Sequence, residues 1–164
     1  MNGRRLAASE RGDGLIEFSV VAIVLFTCIL GVMGVSEACY SYHFTSYAAR
    51  EATRYAMVRG ATWGSTTCAT TTMAKCNATG PDVHRYVQSL VTSGISSGSP
   101  LTVVTTWSGK QLGGAATTCV NTNGSNSPGC LVAVQVKYAF GYSIPLLPTS
   151  PLAFSSTSQV VIMQ

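Results

Sequence analysis

Glu17 is the residue whose placement demands chemistry. It lies near the start of a 21-residue stretch, Leu15 to Val35, that is otherwise apolar apart from a few small residues. A helix of that size is roughly 30 Å long, about the hydrocarbon thickness of a bilayer. An ionised carboxylate there costs on the order of a few kcal/mol unless it snorkels to the interface or finds a partner. The natural partner is a positive charge, and the pair would be stronger than in water because the local dielectric is low.

The residues just before the stretch suggest a source for that charge. They run Arg11-Gly12-Asp13-Gly14-Leu15-Ile16-Glu17-Phe18. A peptidase cut after Gly12 would give Asp13 a new α-ammonium group and make Glu17 the fifth residue of the mature chain. Asp13 and Glu17 are one helical turn apart, so the pair could also close within one chain. A glycine cut, an acid at the fifth position, the aromatic Phe18 and an apolar helix together resemble the processing site of type IV pilin-like proteins. The resemblance implies that a prepilin peptidase cuts between Gly12 and Asp13, and that Glu17 meets the free amine of a neighbouring subunit during assembly. Two plainer arrangements stand beside it. Gly12 and Gly14 could be flexible residues before an ordinary signal anchor, with Glu17 snorkelling. The segment could instead be removed after Ser36-Glu37-Ala38, although ordinary signal peptides have apolar regions of only about 7 to 15 residues.

Composition narrows the setting. With 164 residues, one domain beyond the apolar segment is expected. Only 10% of residues are charged against 46% hydrophobic, which suits an exported, β-rich domain better than a cytosolic enzyme. The net charge of +4 overstates the mature chain, because Arg4, Arg5 and Arg11 all lie before the proposed cut and are offset there only by Glu10. No basic patch for nucleic acid follows. Positive charge beside a first membrane segment is retained in the cytoplasm, so the N-terminus is expected inside and residues beyond about 36 outside. Cys68, Cys76, Cys119 and Cys130 all fall in that outer part, as an oxidising compartment would allow. Four cysteines permit three connectivities. Closeness in sequence favours Cys68 with Cys76 and Cys119 with Cys130, each bridge contributing about 2 to 3 kcal/mol. Cys28 and Cys39 lie about three turns apart on one helix face, too far to bridge each other. Packing is expected of both, with an intermolecular bridge through Cys39 as the alternative.

Taken in order, residues 1–12 read as a polar leader with no fold of its own, and residues 13–60 as one long helix whose membrane part is about 15–35. From Ser36 to Arg59 there is neither proline nor glycine, and Gly60 is a natural stop. A helix of roughly 45 residues would be about 65 to 70 Å long. Tyr40, Tyr42, Phe44 and Tyr47 fall where a membrane interface would be. Tyr47, Ala48, Ala52, Tyr55, Ala56 and Arg59 then form a stripe that permits close approach. Ala48, Ala52, Tyr55 and Ala56 could seat either another subunit or the chain's own domain.

Arg11-Gly12, Glu17-Phe18, the apolar run with Gly31, and Ala48-Ala49-Arg50-Glu51-Ala52 followed by Arg54-Tyr55-Ala56 together resemble the N-terminal region of the TadE family. These are pilin-like proteins of the tight-adherence (Flp) pilus system. The resemblance covers about residues 11–60. One departure is Ile23, where many members of that family carry a proline nearby.

Residues 61–164 read as a periplasmic or extracellular α+β domain. A Gly, Ser and Thr-rich connection runs from Ala61 to Gly80 and holds Cys68 and Cys76. Val83, Tyr86, Val87, Leu90 and Val91 repeat at helical spacing after Pro81, which predicts a short helix to about Ser93. Leu101 to Trp107 is rich in β-branched residues and predicts a strand ending before Ser108-Gly109. Residues 113–129 look like a loop. Val132, Val134, Val136, Tyr138 and Phe140 alternate with Ala133, Gln135, Lys137 and Ala139, the signature of a strand with one buried face. Pro145, Pro148 and Pro151 mark a return loop before a final strand from Ser155 to Met163. The expected fold class is therefore α+β and pilin-like, a long N-terminal transmembrane and amphipathic helix packed on a small antiparallel sheet.

Chemistry-bearing motifs are few. There is no phosphate-binding glycine loop, no Gly-x-Ser-x-Gly elbow and no CxxC. His43 and His84 are the only histidines. No catalytic residue, metal or cofactor is expected, and the chain is not expected to be an enzyme. The resemblance implies a minor pilin-like subunit of the bacterial inner membrane, single-pass, with its outer domain periplasmic or carried into the extracellular pilus. Its implied partners are other pilin-like subunits, among them a second TadE-like protein, the prepilin peptidase, the inner-membrane assembly platform and membrane lipid. The alternative is a signal-anchored envelope protein that binds or scaffolds without polymerising.

Overall fold

The computed structural model describes residues 6–60, 63, 77–92, 95, 101–112, 119, 127–141 and 151–163, with side chains from residue 14 onward. The elements are α1 (Leu6–Val58), α2 (Gly80–Ser89), β1 (Leu101–Gly109), β2 (Cys130–Phe140) and β3 (Leu152–Val161). The chain divides into two units. The first takes α1 through Cys39; the second begins at Tyr40 and holds the rest of α1, α2 and the three strands.

α1 is a single 53-residue α-helix. Its apolar part contains two hydroxyls and a third, Ser36, directly follows, and each is satisfied one turn back. Ser19 Oγ donates to the Leu15 carbonyl (2.7 Å), Thr27 Oγ1 to Ile23 (2.8 Å) and Ser36 Oγ to Val32 (2.9 Å). In a lipid solvent that is the economical solution, because polar groups there must find partners internally. α1 begins at Leu6, within the stretch expected to lack a fold. Leu6, Ala7, Ala8, Glu10 and Arg11 are strong helix formers, and once a helix is nucleated each further residue adds a bond without a new nucleation cost. At the other end the helix gives way to a turn at Arg59, whose carbonyl accepts from Ala78 N (2.9 Å).

That bond brings the chain to the start of α2. Thr79 is extended at the N-cap, with Pro81 in the first turn. The Asp82 carboxylate accepts from Thr79 N (3.0 Å) and from the Thr79 hydroxyl, and it pairs with Arg85. These contacts explain why a buried acid is tolerated here. α2 buries Val83 and Val87 but ends at Ser89, earlier than periodicity suggested, because Leu90 already serves as its C-cap.

The sheet has the order β1-β2-β3 and is antiparallel throughout. In central β2, Cys130, Val132, Val134, Val136, Tyr138 and Phe140 are buried while Lys137 is exposed, as the alternation requires. Burying each of the three valines contributes about 1.5 to 3 kcal/mol, an upper bound given a partly collapsed unfolded chain. β1 runs two residues past its expected end, through Ser108 and Gly109, because Gly109 still pairs with Cys130. Beside that pair Cys119 N donates to the Gly109 carbonyl (3.0 Å), and Cys119 is disulfide-bonded to Cys130. Gly129 and Cys130 together oppose Ile162: Gly129 N donates to Ile162 O (2.9 Å), and Ile162 N to Cys130 O (2.8 Å). This is a bulge opened by a glycine at φ 88°, where a Cβ would approach Leu112 N to 2.6 Å. β3 starts at Leu152, directly after Pro151, because Leu152, Ala153 and Phe154 continue the ladder opposite Phe140, Ala139 and Tyr138.

Within the second unit the outer half of α1 covers the sheet. Thr53 Oγ1 donates to the Ala49 carbonyl (2.6 Å), and Ser158 O of β3 lies 3.4 Å away. Tyr42 meets Phe154 edge to face at 6.1 Å, and Phe154 in turn lies 6.4 Å from Phe140. The architecture is α+β and pilin-like. The Cys68 and Cys76 pairing lies outside the described residues.

Candidate assembly site

The processing and assembly residues share one stretch of α1. Gly12 and Asp13 are helical, and Glu17 and Phe18 follow within the next turn and a half. Glu17 is exposed, and Phe18 is 72% exposed. Leu15, Ile16, Val20, Val21, Ile23 and Val24 are equally uncovered. Added Cβ atoms on Gly14 or Gly31 would meet nothing. The helix is long and apolar enough to cross a membrane, and none of its most apolar window is buried. An apolar surface this continuous needs lipid or other helices to cover it.

The alanine and tyrosine stripe behaves differently. Ala48, Ala52 and Ala56 are fully buried, and Tyr55 is 6% exposed. The stripe is thus occupied by the chain's own domain. It is also broader than sequence suggested, because Ser41, Phe44, Thr45, Ala49 and Thr53 are buried with it, whereas Tyr47 faces solvent. Thr45 Oγ1 donates to the Ser41 carbonyl (2.7 Å), which makes this hydroxyl, like that of Thr53, compatible with a core. Of the four aromatic residues expected at a membrane interface, Tyr40, Tyr42 and Tyr47 are exposed and Phe44 is not.

At the far end of the stripe, Tyr55 stacks on Tyr86 of α2, with centroids 4.3 Å apart and planes 16° from parallel. The Arg59 guanidinium lies 4.2 Å from the Tyr55 centroid, a cation–π contact. Glu51, Arg54, Tyr55, Val58, Arg59 and Tyr86 line a shallow cavity of about 360 Å³. Glu51 and Arg54 form an exposed pair at 3.3 Å. Burial pushes the Tyr86 phenol above its ordinary value, and the nearby Glu51 carboxylate adds to the effect. The contacts suit a packing joint between two helices, and they hold no nucleophile beside a base. Among the described residues no group of three His, Cys, Asp or Glu could hold a metal ion.

Residues 12–54 match the family model described as TadE-like protein. The N-terminal region is TadE-like. The match opens on Gly12, includes Glu17 and the whole apolar run, and closes on Arg54, within the buried alanine stripe and just before Tyr55 and Ala56. It covers about a quarter of the chain and leaves out α2 and the sheet. The TadE-like region points to association with a Tad pilus, and the exposed apolar helix is consistent with a single-pass membrane anchor. No curated protein and no solved structure matches the chain.

Proposed function

We propose that this chain is a minor pilin-like subunit of a tight-adherence pilus. It enters the cytoplasmic membrane through α1, is cut between Gly12 and Asp13 by a prepilin peptidase, and initiates, caps or primes the fibre, contributing to surface adhesion. The observation that carries the proposal is the coincidence at one helix end. A TadE-like match begins at Gly12, and one turn beyond Asp13 an exposed carboxylate stands near the start of the apolar stretch of α1, whose large side chains are exposed. In assembly the Asp13 amine of one subunit meets Glu17 of another, while neighbouring α1 helices or lipid cover Leu15, Phe18 and Val24. The partners are pilin-like subunits, with a second TadE-like protein among them, and the inner-membrane assembly platform. The outer domain is periplasmic before assembly. It is non-enzymatic and serves as a recognition and spacing element.

Glu17→Gln tests the assembly role. It keeps the shape of the side chain and removes its charge, so membrane insertion should persist while incorporation into fibres falls about tenfold or more, the consequence of losing roughly 1.4 kcal/mol of pairing. Wild-type piliation with this variant would remove the role. One observation favours a second function, an anchored scaffold that never polymerises: the stripe best suited to helix contact is already filled by the chain's own domain. That alternative requires indifference to Glu17 and an intact N-terminus.

A further inference from the structure

The two outer strands of the sheet have different edges. The bond from Ile162 N to Cys130 O, carried along the printed register, makes the even-numbered residues of β3 the ones that bond to β2. The N–H and C=O groups of Ala153, Ser155, Thr157, Gln159 and Val161 therefore point away from the sheet, and among the described residues no group meets them. The same register turns the Gly109 carbonyl of β1 outward, and there Cys119 N occupies it. α2 also packs against β1, with Gly80 beside the Trp107 ring. Among the described residues, β1 therefore has one end of its outer edge occupied, at Gly109, whereas the outer edge of β3 has no partner.

β3 also lacks the devices that keep an edge from pairing. It contains no charge and no proline, and no charged residue occurs from Pro151 to the end of the chain. Its inner-face residues Phe154, Ser156, Ser158 and Val160 are only half-buried, unlike those of β2. Its order is nearly symmetric about Thr157. Folded on that centre, Ser155 falls opposite Gln159, Ser156 opposite Ser158, Phe154 opposite Val160 and Ala153 opposite Val161. Each pair joins residues of matching character: polar with polar, apolar with apolar. The centre is compatible with hydrogen bonding as well, since Thr157 is one of the residues whose main chain faces outward, and a two-fold axis can pass through such a reciprocal pair.

We propose that the outer edge of β3 pairs antiparallel, centred on Thr157, with β3 of a second copy of this chain, making one continuous six-stranded sheet. The extra strand would satisfy the open backbone groups and cover the half-buried face from Phe154 to Val160. This goes beyond the assembly reading and does not depend on Glu17.

Cysteine cross-linking of the full chain in membranes tests the register, in a background carrying Cys28→Ser and Cys39→Ser. Thr157→Cys places two thiols on residues with Cα atoms about 5.5 Å apart, within disulfide reach, so mild oxidation should give a product of twice the chain mass. Ser155→Cys or Gln159→Cys alone displaces the thiols by about 13 Å along the strands and should give none, whereas the two variants expressed together should cross-link. Thr157→Lys sits on an exposed position, leaves the fold intact and sets like charges face to face. It should reduce the mixed Ser155→Cys and Gln159→Cys product about tenfold. No product with Thr157→Cys, equal products at all three positions, or indifference to Thr157→Lys would overturn the proposal. So would a Thr157→Cys product formed only with a different protein, which would assign the edge to a heterologous strand.

Discussion

The two halves of α1 solve opposite packing problems with one continuous backbone. From Leu15 to Val35 the helix carries large apolar side chains, exposed almost without exception. From Ser41 to Ala56 it carries small residues and hydroxyls on one face, and these are buried to near completion. In the first half, side-chain volume projects outward and stays exposed. In the second, small volume lets the sheet and α2 approach the backbone closely. Both halves send their hydroxyls to the carbonyl one turn back, so a Ser or Thr does not tell the two solvents apart. Side-chain size does.

That contrast is open to direct attack, beginning with the largest effect. Val24→Arg together with Leu25→Arg places two charges where the account puts hydrocarbon, at about 2.5 to 3.5 kcal/mol each against insertion. Fractionation should find the double variant lost from the membrane while its outer domain stays folded. Retention in the membrane would break the comparison. Cys119→Ser with Cys130→Ser acts only on the second unit. It should lower the outer domain's unfolding free energy by about 2 to 3 kcal/mol, read by urea denaturation in detergent, and leave insertion unchanged. A matched pair then sharpens the contrast within one helix. Ala52→Leu overfills a site with no spare volume and should cost about 1 to 3 kcal/mol of domain stability. Ala22→Leu adds the same atoms to the uncovered half and should change domain stability by less than about 0.5 kcal/mol.

The same physics explains what could be read from the chain. The membrane-length run and the β2 alternation were legible because large apolar residues repeat at one clear period. Pro81 and Gly60 announced the start of α2 and the end of α1. Thr45 and Thr53 were missed as core because polarity argues against burial until the i−4 carbonyl is seen to take the hydroxyl. The helical state of residues 6–12 was missed because they read as a polar leader with no fold of its own, whereas the adjoining long helix extends through them. The beginning of β3 was masked by three nearby prolines, although only pairing with β2 decides where a ladder starts. For the candidate site, Gly12, Asp13, Glu17 and Phe18 were visible because an acid in an apolar helix is costly. The Tyr55, Tyr86 and Arg59 joint was hidden, since it brings together residues from two separate helices.

The central claim is that Glu17 works with an amine created at Asp13. The most direct measurement is the N-terminal residue of the protein isolated from native membranes or sheared fibres. The account predicts a chain beginning at Asp13. A chain still carrying Met1 or Arg11 would contradict it and leave a simple anchor, while a start at Cys39 would remove the helix half on which assembly depends.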